Sequence, residues 1–244
     1  MTASPLDVPT PDGVLPVQVF LPPGDDRKGG VIFYMDAFGL RPELEVMCER
    51  YAGQGYVVFL PDLYYRHGTL RFTVPAGAHD PVDPTMNAAN TGTTVEMTIA
   101  DTGALLAYVA VHGLHGINRF GAVGYCMGAR HALGAGATYG SAITAIACLH
   151  GGRLVWDGDN SPHHYIPRVK GAVYFGFARN DETCPDAHQD LIERTIAASG
   201  VRGRTEHFPA AHGWTFPTRW CHDPIAADRA FAAVLALFGS EVGR

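Results

Sequence analysis

The chain has no excess of basic charge. Its 244 residues carry 18 Lys and Arg against 24 Asp and Glu, for a formal charge of −6 and a pI near 6.0. Such a surface offers no patch to neutralise phosphates, so nucleic acid is excluded as a partner. No stretch approaches the roughly 18 uninterrupted apolar residues of a spanning helix, and no membrane association is expected. The opening MTASPLDVPTPDG lacks a positive segment followed by an apolar run, so a cytoplasmic protein is expected. The five cysteines, Cys48, Cys126, Cys148, Cys184 and Cys221, are odd in number, widely spaced and without a CxxC pair. That disfavours a disulfide framework or a structural zinc site and favours reduced thiols. The 12 histidines include no HExxH or similar spacing, so no metal is expected. Internal repeats and low-complexity segments are also lacking.

What remains is the composition of an ordinary globule, 47% hydrophobic and 10% aromatic. The length suits one α/β unit over residues 1–244 with one large core. Val14 to Leu21, after the turn signal Pro11-Asp12-Gly13, reads as an edge strand. Gly30 to Asp36 and Tyr56 to Leu60 are short apolar runs of the kind buried on both faces of a parallel sheet, and Glu43 to Gln54 between them has helical spacing. Arg66 to Asn90 is rich in Pro, Gly, Asp and His and reads as a surface excursion with a short helix, of the sort that often covers a site. Helical pattern resumes over Thr93 to His112, Ala129 to Ala137, Ala187 to Ala198 and Pro224 to Phe238. Strand pattern marks Phe120 to Tyr125, Ala142 to Leu149, Ala172 to Phe175 and Arg204 to Phe208. This alternation predicts a mostly parallel central sheet flanked by helices on both faces.

The most informative stretch is Gly124-Tyr125-Cys126-Met127-Gly128, a GxCxG directly after a strand and before a helix. It is the nucleophile elbow of the α/β-hydrolase fold with sulfur in place of oxygen. Glycines on either side let strand and helix approach, and the helix N-terminus favours a thiolate. Such an elbow needs an acid and then a histidine later in the chain. His212, in the small-residue loop Pro209 to Gly213 after the last strand, is the candidate base. Asp181, in the loop ending the strand from Val173, is the candidate acid; Asp186 and Asp190 lie within the next helix and fit the geometry less well. His150, before Gly151-Gly152 at a strand end, is placed to approach the pocket. Cys48 and Cys148 read as core.

At these residues the chain resembles the dienelactone hydrolase family, from about Gly30 to Phe238. The matching pieces are Met35-Asp36-Ala37-Phe38-Gly39, Gly55-Tyr56-Val57-Val58, Pro61-Asp62-Leu63-Tyr64, the elbow, Asp181 and Ala211-His212-Gly213. The resemblance implies a triad of Cys126, Asp181 and His212, oxyanion donors from the backbone of Ala37 and Met127, and a hydrolase without metal or organic cofactor. Where the family carries a glutamate that takes the thiol proton, this chain has the shorter Asp36, a candidate for the same role. Where the family uses an arginine four residues past the histidine to hold a substrate carboxylate, this chain has Phe216; Arg219 and Arg71 are candidates to replace it. Phe38, Tyr125, Trp214 and Phe216 are candidates to line the substrate pocket. The expected activity is hydrolysis of a small-molecule ester or lactone through a thioester on Cys126. A thiol redox sensor or a non-catalytic ligand-binding homologue is the competing reading, and the order of Asp181 and His212 after the elbow favours the enzyme.

Overall fold

A computed structural model describes residues 3–243. They form one eight-stranded sheet in the order β1-β2-β4-β3-β5-β6-β7-β8. The strands are β1 (Ser4–Thr10), β2 (Gly13–Phe20), β3 (Gly29–Tyr34), β4 (Tyr56–Pro61), β5 (Phe120–Tyr125), β6 (Ile143–Leu149), β7 (Ala172–Ala178) and β8 (Arg202–Phe208). β1 and β2 run antiparallel to their neighbours and the other pairings are parallel. The helices are α1 (Pro42–Ala52), α2 (Pro84–Gly92), α3 (Val95–Val111), α4 (Met127–Thr138), α5 (Asp186–Ser199) and α6 (Pro224–Glu241). No single helix among the described residues is long and apolar enough to cross a membrane.

The periodicities behind these elements are plain. Every residue of β4 and β5 is buried, as expected of central strands covered on both faces. On one face α1 and α6 meet through Tyr51 and Phe231, whose ring centroids lie 4.9 Å apart. On the other, α3 packs on α4 so closely that a Cβ on Gly134 would lie 2.3 Å from Val95 Cγ1.

One expectation is corrected at the margin. Val14 to Leu21 is not the edge, because β1 pairs with it through the Pro11-Asp12 hairpin, Thr10 lying opposite Gly13. β1 has little strand character in sequence: Pro5 and Pro9 interrupt it, and of its seven residues only Val8 is fully buried. Its position at the edge explains why two prolines are tolerated. The Arg66 to Asn90 excursion contains α2, capped by Asp83, whose carboxylate accepts from the Thr85 N–H at 2.8 Å. Arg66 pins its start to α3 through two 2.8 Å bonds to Asp101.

The tightest packing lies where β5 turns into α4. A Cβ on Gly124 would fall 2.1 Å from the Gly128 carbonyl oxygen, and one on Gly128 would fall 2.1 Å from that of Tyr34, at the end of β3. Both obstacles are backbone and cannot move aside. Gly128→Ala is therefore expected to lower the unfolding free energy by about 1–3 kcal/mol. The urea-unfolding midpoint checks this, and an unchanged midpoint would contradict the close approach of α4 to β3.

Candidate active site

Cys126 occupies the turn between β5 and α4 with φ 54° and ψ −115°, a conformation that non-glycine residues rarely adopt. Three backbone bonds hold it there. Its N–H donates to the Leu149 carbonyl at 3.1 Å, and its own carbonyl accepts from Ala129 at 3.2 Å and Gly152 at 3.1 Å. Strain at this residue is thus fixed by β6 on one side and by the first turn of α4 on the other.

Asp181 and His212 come to the same end of the sheet from the ends of β7 and β8. The left-handed Asn180, φ 56°, turns the chain so that Asp181 points inward and is almost fully buried. One carboxylate oxygen accepts from the Thr183 N–H at 2.9 Å and hydroxyl at 2.7 Å. The other lies 2.7 Å from His212 Nδ1. Nδ1 therefore carries a proton, and Nε2 is left for the sulfur. Nε2 makes no well-aligned hydrogen bond in the resting geometry. Such bonds are commonly long or poorly aligned before substrate arrives.

The electrostatics of the two groups are linked. Burial works to raise the Cys126 thiol, but the nearby His212 charge outweighs it, and the thiol lies below its ordinary value. Burial likewise works to lower His212, yet the thiolate charge and the Asp181 bond outweigh it and raise the imidazole to about 10. Both shifts favour a thiolate–imidazolium pair near neutral pH. The His212 side chain keeps 20% exposure, although its Nε2 is buried.

Behind the histidine, His150 is fully buried. Its Nε2 lies 2.7 Å from Thr215 Oγ1, and its ring meets His212 edge-on at 5.2 Å. Burial together with the His212 and Arg219 charges pushes its pKa well down, so it is neutral. Trp214 and Phe216 pack on this ring at 4.9 and 5.3 Å. Both are wholly buried, as is Tyr125, whose hydroxyl pairs with that of Tyr51 at 2.8 Å. The structure thus places these three aromatics in the core beneath the site, where side-chain packing leaves them little or no exposed surface.

Asp36 is also fully buried, and it is occupied elsewhere than at the sulfur. Its oxygens accept from Arg41 at 2.6 and 3.1 Å, from Arg219 at 2.7 Å and from the Phe38 N–H at 3.2 Å. The Arg219 guanidinium sits over the rings of Phe38 and Phe216 at 4.6 and 4.8 Å. Among the described residues no hydrogen bond joins Asp36 to Cys126, and the carboxylate acts on the thiol only through its charge, which works to raise it. Arg219 is paired with Asp36, and Arg71 with Asp62 at 3.1 Å.

The Ala37 N–H and the Met127 N–H, first of α4, have no acceptor among the described residues. Tyr64, a residue missed by motif reasoning although it lies in the quoted Pro61-Asp62-Leu63-Tyr64, ties the two segments together. Its hydroxyl donates to the Ala37 carbonyl at 2.9 Å and lies 3.4 Å from Met127 Sδ. Thr183, which orients Asp181, and Arg41 were missed as well. A small polar residue two positions after a candidate acid is the signal that points to the first.

The sequence pattern of the dienelactone hydrolase family matches residues 15–242. The chain belongs to the dienelactone hydrolase family. A provisionally named carboxymethylenebutenolidase of Synechocystis sp. is 25% identical over 219 residues, covering 87% of this chain and 86% of the relative. One of the same provisional name from Methylorubrum extorquens is 22% identical over 204 residues, covering 82% of this chain and 67% of the relative. Among solved structures, a provisionally named dienelactone hydrolase from Klebsiella pneumoniae superposes with a TM-score of 0.84 at 21% identity, covering 98% of both chains. A dienelactone hydrolase-like promiscuous phosphotriesterase from metagenomic libraries does so with a TM-score of 0.78 at 18% identity, again over 98% of each chain. These likenesses show the α/β-hydrolase fold, and the family makes the chain a hydrolase.

Within this dienelactone hydrolase family member, the Asp36 cluster is a buried ion network. Asp36→Asn would leave Arg219 without its carboxylate, and a loss of about 3–5 kcal/mol of stability is expected. Guanidinium chloride unfolding checks it; a variant as stable as the wild type would contradict a structural role for the cluster.

Proposed function

We propose that the chain hydrolyses carboxylic esters or lactones through a thioester on Cys126, with His212 as proton carrier and Asp181 holding its tautomer. The reading rests above all on one observation: the Cys126 thiol, on its strained turn, is lowered by the same imidazole whose other nitrogen lies 2.7 Å from Asp181. A thiolate, not a thiol, is the competent nucleophile, and an ordinary cysteine is only a few per cent ionised at neutral pH.

In the first half-reaction the thiolate attacks the carbonyl carbon. A C–S bond forms as the carbonyl electron pair moves to oxygen, where the N–H groups of Ala37 and Met127 receive the charge. Donors of this kind contribute roughly 3–4 kcal/mol each in comparable enzymes. Collapse of the intermediate breaks the C–O bond, and the departing alkoxide or enolate takes the proton from His212 Nε2. In the second half-reaction a water gives a proton to the now neutral Nε2 and attacks the thioester. The C–S bond breaks and the thiolate and imidazolium are restored.

Sulfur leaves a tetrahedral intermediate more readily than an alkoxide does, so the first step succeeds best with stable leaving groups. Enol lactones and aryl esters therefore rank above aliphatic esters, and amides rank last. Asp36 has no part in proton transfer in this scheme. It positions the strand-end segment that carries the Ala37 donor, through the Phe38 N–H and the two arginines.

Hydrolysis of an aryl acetate, an aliphatic ester and cis-dienelactone at pH 7 tests the assignment. Cys126→Ala is expected to lose on the order of a thousandfold or more in kcat/KM on every member that the wild type cleaves. Asp181→Asn is expected to lower kcat at least about a hundredfold with KM little changed, since it permits the wrong tautomer of His212. Equal rates for wild type and Cys126→Ala would refute the nucleophile.

A further inference from the structure

His150 stands just past the end of β6, in a stretch that touches both Cys126 and His212. The residue before it, Leu149, accepts from the Cys126 N–H, and Gly152 donates to the Cys126 carbonyl. A Cβ on Gly152 would lie 3.7 Å from His212 Cε1. The His150 N–H itself donates to the Gly176 carbonyl of β7 at 2.7 Å. Its ring is gripped by three consecutive residues of the segment that carries the base. Trp214 and Phe216 pack on it, and between them the Thr215 hydroxyl lies 2.7 Å from His150 Nε2. That is the one side-chain hydrogen bond of Thr215 among the described residues. The same His150 ring meets His212 edge-on.

Two features of His150 work against stability. Its φ of 36° lies in the left-handed region, which a side chain of this size seldom adopts. Its Nδ1 is buried and has no hydrogen-bond partner among the described residues. With Nε2 engaged by a hydroxyl, Nδ1 is an unmet donor in one tautomer and an unmet acceptor in the other, and a desolvated nitrogen is destabilising in both. A phenylalanine would fill the same space without that orphan, so packing alone does not call for a histidine. What the imidazole adds is direction. The Thr215 bond fixes the rotation of the His150 ring, and that ring bears on His212, whose other supports are the Asp181 carboxylate at Nδ1 and Gly152 beside Cε1. His150 is also uncharged, held so by burial and by the His212 and Arg219 charges, and therefore does not oppose the imidazolium.

We propose that His150 is the positioning residue of the base: pinned by Thr215 and clamped by Trp214 and Phe216, it locks the loop that carries His212 against the end of β6 and so sets the imidazole against Cys126. It takes no proton during the cycle. Its effect on turnover rests on the hydrolase reading above, whereas its effect on the thiol does not. An imidazole that is less firmly placed lowers the thiol less, so loss of the pin raises the thiol.

His150→Phe keeps a ring and removes the pin, and Thr215→Val removes the pin and keeps the histidine. Each is measured for its urea-unfolding midpoint, for kcat and KM on the best ester of the panel, and for the pH dependence of Cys126 alkylation by iodoacetamide, read on the Cys126 peptide by mass spectrometry. The other groups that act on the Cys126–His212 pair are Asp36, Tyr64, Asp181, Arg219 and Arg130, the last held by Asn90 of α2, and none is altered in these variants. His150→Phe is expected to unfold close to the wild-type midpoint, because the orphaned Nδ1 goes together with the Thr215 bond. Its kcat is expected to fall about tenfold or more with KM little changed, and its alkylation midpoint to rise by about one pH unit. Thr215→Val moves kcat and the alkylation midpoint in the same directions. His150→Gln, whose amide reaches toward the same hydroxyl, stands between wild type and His150→Phe on both measures. Wild-type kcat and an unmoved alkylation midpoint overturn the proposal. So does a fall in kcat with an unmoved midpoint, which is what loosened packing alone produces. If His150→Phe does not fold, Thr215→Val decides. If wild type cleaves no ester but its low alkylation midpoint rises in the variants, the hydrolase reading fails and the positioning role stands.

Discussion

The crossing of α4 over the ends of β3 and β5 is the constraint on which the rest of the site depends. Gly124 and Gly128 bring three stretches of backbone into direct contact, with no room for a single added carbon. Cys126 is left between them in a conformation that its own preferences oppose, and the bonds to Leu149, Ala129 and Gly152 supply the compensation. With the sulfur's position set in this way, the first N–H of α4 stands next to it and the ends of β7 and β8 deliver Asp181 and His212 to it. Strain at one residue is thus maintained by the cooperative stability of the whole sheet.

A second theme is the division of buried charge. Around Asp36 the molecule places two arginines on one carboxylate and stacks one of them on aromatic rings, which yields a rigid support for the Ala37 segment. Around Cys126 and His212 it does the reverse and keeps a mutually dependent pair, each of which draws the other toward its charged form. At Arg130 it leaves a cation without an anion.

That Cys126, Asp181 and His212 stand at strand ends on one side of the sheet was legible in the sequence because each placement depends on local pattern: a strand that ends, a turn of small residues, a helix that begins. The central strands were legible for the same reason, being continuous apolar runs. β1 was not, since Pro5 and Pro9 conceal a strand whose only support is its place at the edge. The pairing of Asp36 with Arg219 was not legible, because the two are 183 residues apart and no local signal reports such a contact. Trp214 and Phe216 stand near the histidine in sequence, but packing against the buried His150 draws them into the core. Arg130 resembles any arginine on a helix until α2 is folded over it.

In the proposed mechanism Cys126 rests as a thiolate paired with the His212 imidazolium. The difference in thiolate absorbance at 240 nm between wild type and Cys126→Ala, followed from pH 5 to 10, tests it most directly. Thiolate absorbance from Cys126 that is already present at pH 7 and diminishes only on acidification agrees with a lowered thiol. A difference signal that appears only near pH 9 or above would show an ordinary buried cysteine and contradict the account.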